Sequence, residues 1–280
     1  TVHDPFANGE CLDCHKAHNS PFPAQLIAPT TNLCQVCHAP DAAELVEAHT
    51  GIPVKGTQCI ACHEPHATAT KGLLRSVTHA PFAEGSCEMC HRTDTDTPRL
   101  VRATGAKLCR TCHQDYPKSG DTFVHKPVAD GTCQACHLPH AGDIKGLLAA
   151  QPAQLCTTCH AEITARAAQS KSAHPVKAET GACLACHAPH SSTENHLLRS
   201  GEIRTCLSCH ETAKHGHPLG DDRPDPRTGK PITCVTCHDP HGTQFAYELR
   251  GDQSRGLCIQ CHDSDHDSKQ KGATGGGARK

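Results

Sequence analysis

The chain contains no tryptophan, two tyrosines and five phenylalanines in 280 residues, and only 36% of its residues are hydrophobic. The large side chains that normally fill the interior of a chain this long are missing. Protein packing alone therefore makes a poor core, because burial has to offset the conformational entropy lost on folding. No stretch approaches 18 consecutive apolar residues, so the chain does not span a membrane by itself. The sequence opens at Thr1 without a charged segment leading into an apolar one, and a secretory signal is expected to have been removed. A formal charge of −2 carries no basic footprint, which excludes nucleic acid as a partner. Methionine occurs once, as Met89. Cysteine is absent everywhere except in one recurring pattern.

That pattern is Cys-x-x-Cys-His, written eleven times and using all 22 cysteines. The pairs are Cys11 and Cys14, Cys34 and Cys37, Cys59 and Cys62, Cys87 and Cys90, Cys109 and Cys112, Cys133 and Cys136, Cys156 and Cys159, Cys183 and Cys186, Cys206 and Cys209, Cys234 and Cys237, and Cys258 and Cys261. They close with His15, His38, His63, His91, His113, His137, His160, His187, His210, His238 and His262. Eleven such coincidences at the chain's own histidine frequency have a probability on the order of 10⁻¹². Two thiols three positions apart meet the two vinyl groups of one porphyrin as thioethers, and the next imidazole points at the iron from the same side. The motif thus predicts eleven covalently attached haems c, each with its proximal ligand built in.

Competing chemistries fit less well. Zinc sites use Cys-x-x-Cys but need a second ligand pair at a spacing of its own, with no histidine required directly after the second cysteine. Iron–sulfur ligation shows denser cysteine runs, and a thioredoxin-like pair occurs once within a βαβ unit. A disulfide framework explains the even count and leaves the constant histidine unexplained.

Eleven haems leave about 25 residues for each, so the porphyrins themselves supply the apolar surface that the side chains lack. The expected fold is mostly irregular with short α-helices and little or no β-sheet. It is an elongated multihaem cytochrome c whose core is a continuous haem chain. Twenty prolines and 22 glycines agree with that. Short amphipathic helices are expected at 41–48 and 161–170. Two propionates and a ferric charge per haem bring the oxidised protein to about −13, which suits partners with basic docking surfaces.

Self-alignment divides the chain into dihaem repeats at 3–48, 79–124, 125–173, 174–216 and 217–267, a single-haem half repeat at 49–78, and a flexible tail at 268–280. A repeat opens with His-x-Pro or a close variant. It continues through the first motif, x-Pro-His and a leucine-containing pair to the second motif. The opening His79-Ala-Pro-Phe matches His3-Asp-Pro-Phe.

Fourteen histidines remain after the proximal ones. Six open the repeats (His3, His49, His79, His125, His174 and His217) and five lie three residues beyond a proximal histidine (His18, His66, His140, His190 and His241). Together they supply one distal ligand per iron. A histidine of the second kind lies on the wrong side of its own porphyrin and is expected to serve a neighbouring iron. The repeat 79–124 has Asp94 at that position, so His66 is expected to be lent forward to the haem at Cys87 or Cys109, with His49 on the haem at Cys59. His196, His215 and His266 fall outside the pattern and read as surface or propionate-contacting residues. With no usable methionine, the irons should be low-potential and bis-histidine, saturated and closed to substrate. The chain is therefore not expected to be an enzyme.

The runs Cys62 to His66, Cys136 to His140, Cys186 to His190 and Cys237 to His241, each followed by a further motif, resemble the doubled-CXXCH multihaem cytochromes over residues 3–262. Relatives include subunits of extracellular cytochrome nanowires and the decahaem cytochromes of outer-membrane porin conduits. The resemblance implies electron transfer along a haem chain, at the cell surface or outside the cell, or in the periplasm and outer membrane. The implied partners are other copies of the chain in a filament or a porin β-barrel, other redox cytochromes, and extracellular electron acceptors. A multihaem reductase would need one open iron flanked by acid–base groups, and no Cys-x-x-Cys-Lys variant is present. Electron storage is the third class, separable from a directional wire by kinetics with a donor at one end.

Overall fold

The computed structural model describes residues 1–92, 100–174, 183–211, 217 and 219–262, the side chains of 221–223 excepted. Asp94, His215, His266 and the tail 268–280 lie outside the described residues. Helices are short, the longest among the described residues being Ala161–Gln169, and the helix expected at 41–48 runs over Ala43–Ala48. Strands form three two-stranded antiparallel sheets. They are β1 (Val77–Thr78) with β3 (Ala141–Gly142), β2 (Phe123–Val124) with β4 (Ser191–Ser192), and β5 (Gly220–Pro224) with β6 (Pro231–Ile232). The expectation of short helices with little sheet is met.

Every motif is one helical turn. In all eleven, the closing histidine donates its backbone N–H to the carbonyl of the first cysteine, at 2.8–3.0 Å. An i to i+4 bond places positions i, i+3 and i+4 on one face. Both thiols and the imidazole of each motif consequently share a side, as a single porphyrin requires.

Six first motifs carry a second device. The residue after the proximal histidine donates to a carbonyl eight or nine positions on, from Lys16 to Gln25, Glu64 to Leu73, Arg92 to Leu100, Leu138 to Leu147, Ala188 to Leu197 and Asp239 to Glu248, at 2.7–2.8 Å. The chain then returns a bond to the second cysteine's carbonyl, as Ile27 does to Cys14 and Arg75 to Cys62. The leucine pairs seen in the sequence sit in this clamp, with Leu26, Leu74, Leu148, Leu198 and Leu249 bridged to the proximal histidines. Arg75, Arg102, Arg199 and Arg250 cap it by donating to carbonyls inside the cysteine loops, those of Ile60, Glu88, Leu184 and Val235.

The His-x-Pro openings have a local cause as well. His3 and His79 are extended N-caps of one-turn helices, Asp4–Ala7 and Ala80–Ala83, with proline in the first turn where no backbone N–H is needed. The extended approach to four opening histidines, His3, His79, His125 and His174, pairs antiparallel with the segment that follows x-Pro-His in the next repeat. His3 N–H thus donates to the His66 carbonyl (2.9 Å), His79 to His140 (2.8 Å) and His125 to His190 (2.9 Å), while Ser172 pairs with Thr243. This pairing interlocks successive repeats.

The chain forms two compact units, one of residues 1–114 and 127–151, the other of 115–126 and 152–280. Side chains bury little against one another. Ala141 and Ala153 are the buried apolar residues among those described, whereas Leu12, Val36 and Tyr247 stay largely uncovered by other protein atoms. The interior of each unit is not made of aliphatic side chains.

Candidate functional site

The histidines meet two by two. In the first unit His15 faces His66, His38 faces His3, His63 faces His49, His91 faces His140 and His113 faces His79, with ring centres 5.8–6.1 Å apart. In the second, His160 faces His125, His187 faces His241, His210 faces His174 and His262 faces His217, at 5.9–6.3 Å. An iron about 2 Å from each of two opposed ring nitrogens places the ring centres roughly 6 Å apart. Among the described residues no three His, Cys, Asp or Glu side chains converge as a zinc site demands. Pairs of imidazoles, each beside a Cys-x-x-Cys, fit axial ligation of haem.

Two rules order these pairs. An opening histidine faces the second motif of its own repeat, and an x-Pro-His histidine faces the first motif of the repeat before it. The half repeat has one motif, so His49 faces His63 while His66 crosses to His15. The forward loan of His66 to Cys87 or Cys109 is therefore corrected. The loan runs backward, because the segment after His66 pairs with residues 1–3. The apparent deficit at 79–124 disappears, since His140 of the following repeat faces His91. His18 is exposed and faces no other histidine among the described residues.

The proximal nitrogens are held by backbone. Nδ1 of His15, His63, His137, His187 and His238 lies 2.6–2.9 Å from the carbonyls of Ala24, Gly72, Gly146, His196 and Tyr247, always nine residues on. Donation from Nδ1 fixes the tautomer and leaves the Nε2 lone pair for a metal. The carbonyls are aimed by a left-handed turn, in which Ala24 has φ 53°, His196 56° and Tyr247 58°. At Gly72 and Gly146 the same conformation is free of steric penalty. Reasoning from side chains alone misses these carbonyls. Their signal is the constant offset from histidine to leucine pair. His196, read as a surface residue, is exposed and contributes its backbone oxygen.

Several distal histidines are held in the same way: Nδ1 of His3 by the Pro65 carbonyl, of His49 by Leu45 and of His125 by Pro189, at 2.7–2.9 Å. Burial holds the pKa of His63, His140 and His241 below the usual imidazole value, keeping them neutral as ligands must be.

The cysteines report which motifs are adjacent. Burial and the neighbouring Cys59 thiol push Cys34 up to about 11, and burial and Cys234 push Cys206 up to about 12. Burial and the Cys133 thiol raise Cys109. Burial likewise raises Cys14, Cys186 and Cys237, with added contributions from Cys37, Cys209 and Cys261. The motifs from Cys11 to Cys62 and from Cys87 to Cys136 thus run as neighbours in sequence order in the first unit, as do those from Cys183 to Cys261 in the second.

Residues 3–43, 52–78, 79–118, 125–165, 174–215 and 226–267 each match the family profile described as Doubled CXXCH motif, which together cover most of the chain. The chain belongs to the doubled CXXCH family. It is a multihaem c-type cytochrome, and its repeated motifs serve electron transfer. No curated protein matches this cytochrome in sequence. Among its described residues no helix is long and apolar enough to cross a membrane.

Proposed function

We propose that this doubled CXXCH cytochrome carries eleven haems c, each bound between a proximal and a distal histidine. As a subunit of a filament it conducts electrons outside the cell. Runs of neighbouring motifs in sequence order within each unit support a wire. The pairing of imidazoles supports electron transfer without a distal position open to substrate.

The observation that carries the filament reading is His18. Its register equivalents His66, His140 and His241 each face the first-motif histidine of the preceding repeat. His18 stands exposed and faces no other histidine among the described residues. The first-motif histidine that His18 serves is then one of another copy, reached across a head-to-tail, non-closing contact. His3 is committed within its own chain. It faces His38, its Nδ1 donates to Pro65, and the Thr1 ammonium donates to the Thr68 carbonyl at 2.7 Å.

Electron microscopy of native material tests the assembly. Filaments in the parent protein and discrete particles in His18→Ala are expected. Discrete parent monomers, or a complex with a β-barrel, would replace the filament by the porin conduit. Filaments indifferent to the substitution would remove His18 from the junction. Intact mass should exceed that of the polypeptide by eleven haems.

A further inference from the structure

The x-Pro-His histidines occupy equivalent places, yet their Nδ1 atoms meet different surroundings. His66 Nδ1 lies 3.1 Å from Glu64 Oε1, and the same oxygen accepts the His66 backbone N–H at 3.3 Å. Phe6 packs against the His66 ring, centre to centre 5.2 Å, and shields it on one side. At the equivalent of Glu64, the His140 segment has Leu138, which offers no side-chain acceptor. The His241 segment has Asp239, one methylene shorter. Its Oδ1 accepts the His241 backbone N–H at 3.1 Å but stays 3.8 Å from Nδ1, too far for a hydrogen bond. Asp239 Oδ2 is also drawn to Arg250 at 3.4 Å and Arg166 at 3.5 Å. One register position thus carries a bonded carboxylate, an unbonded and neutralised one, and an aliphatic chain.

We propose that Glu64 is a positioning residue that lowers the potential of the haem at Cys11 through His66. This rests on His15 and His66 being that iron's axial pair. A charged acceptor on Nδ1 makes the imidazole a more basic ligand, and a more basic ligand stabilises ferric over ferrous iron. His15 adds to this by donating its own Nδ1–H to the Ala24 carbonyl. The proton stays on His66 throughout. Oxidation removes one electron, which passes to a neighbouring haem, and no other bond changes. The haem at Cys11 thereby becomes a low point in the potential profile, where an arriving electron is passed on instead of held.

Redox potentiometry of the full holoprotein, followed optically and by EPR, tests the proposal with Glu64→Leu, Glu64→Asp, Glu64→Gln and Leu138→Glu. In Glu64→Leu one of the eleven one-electron components should move to higher potential. Glu64→Asp should shift it similarly, because aspartate keeps the charge and loses the reach, as Asp239 shows. Glu64→Gln, a neutral acceptor of the right length, should fall between parent and Glu64→Leu. Leu138→Glu should move a different component down. An unchanged envelope in Glu64→Leu overturns the proposal. So does parent-like behaviour of Glu64→Asp with a full shift in Glu64→Gln, which would mean charge at a distance and not a hydrogen bond. A high-spin ferric signal in the parent would instead fault the axial pairing.

Discussion

Replacing His66 by alanine opens one iron, and the structure says which. His66 faces His15 with ring centres 6.0 Å apart, across the haem site at Cys11 and Cys14, although the motifs at Cys34 and Cys59 lie between the two histidines in sequence. Each of the other irons with a described pair keeps both imidazoles, so the perturbation should convert one haem in eleven from low-spin to high-spin. The reduced variant should bind one carbon monoxide per chain where the parent binds none. Location is settled by epistasis. Removing the anchors at Cys11 and Cys14 in the His66→Ala background should abolish carbon monoxide binding, whereas removing Cys87 and Cys90 in a repeat assigned to other histidines leaves the His66 effect in place. Binding that survives loss of the Cys11 and Cys14 anchors but disappears with those at Cys59, Cys87 or Cys109 would refute the backward loan. It would also refute the strand-pairing argument behind it.

Ligand-plane angles divide the irons. The rings of His49 and His63 meet at 63° and those of His174 and His210 at 67°, against 12° for His187 and His241 and 13° for His15 and His66. Low-temperature EPR should therefore resolve two classes of low-spin ferric signal. Replacing His49 should diminish the more anisotropic one, and a single uniform class would contradict these angles. His196→Gly and Tyr247→Gly retain the carbonyls that hold His187 and His238 while relieving a left-handed conformation worth about 1–2 kcal/mol, against about 0.4–1 kcal/mol for glycine's freer unfolded chain. Each should stabilise the protein by roughly 0.5–1 kcal/mol in thermal unfolding, and a loss would argue that the side chains themselves contribute. Arg227 donates to both carboxylate oxygens of Asp225 and holds its pKa down at about 2. That stabilisation is present above the unfolded carboxylate range, near 4, and is lost as pH falls through about 2. Arg227→Gln should shift acid-induced loss of the β5–β6 hairpin toward pH about 4, read by hydrogen exchange. An unchanged acid profile would mean the pair is unimportant there.

Covalent chemistry was legible in the sequence because it is local. Two thiols and an imidazole at i, i+3 and i+4 share a helical face wherever the turn forms, and all eleven motifs make that turn. The scarcity of aromatics announced a core not made of side chains, and His-x-Pro announced the openings. Distal partnership was not legible, since His66 and His18 occupy the same position relative to their own motifs. What separates them, among the described residues, is whether a strand pairs with the segment that follows the histidine. Residues 1–3 receive the segment after His66 and swing its imidazole to His15. Composition likewise does not distinguish Glu64 from Asp239 as acceptors, a difference of one methylene that matters only once the loop sets the distance to Nδ1. Local spacing determined what each motif binds. Long-range backbone pairing decided which histidine completes it, because hydrogen bonds between distant strands carry no mark in the residues they join.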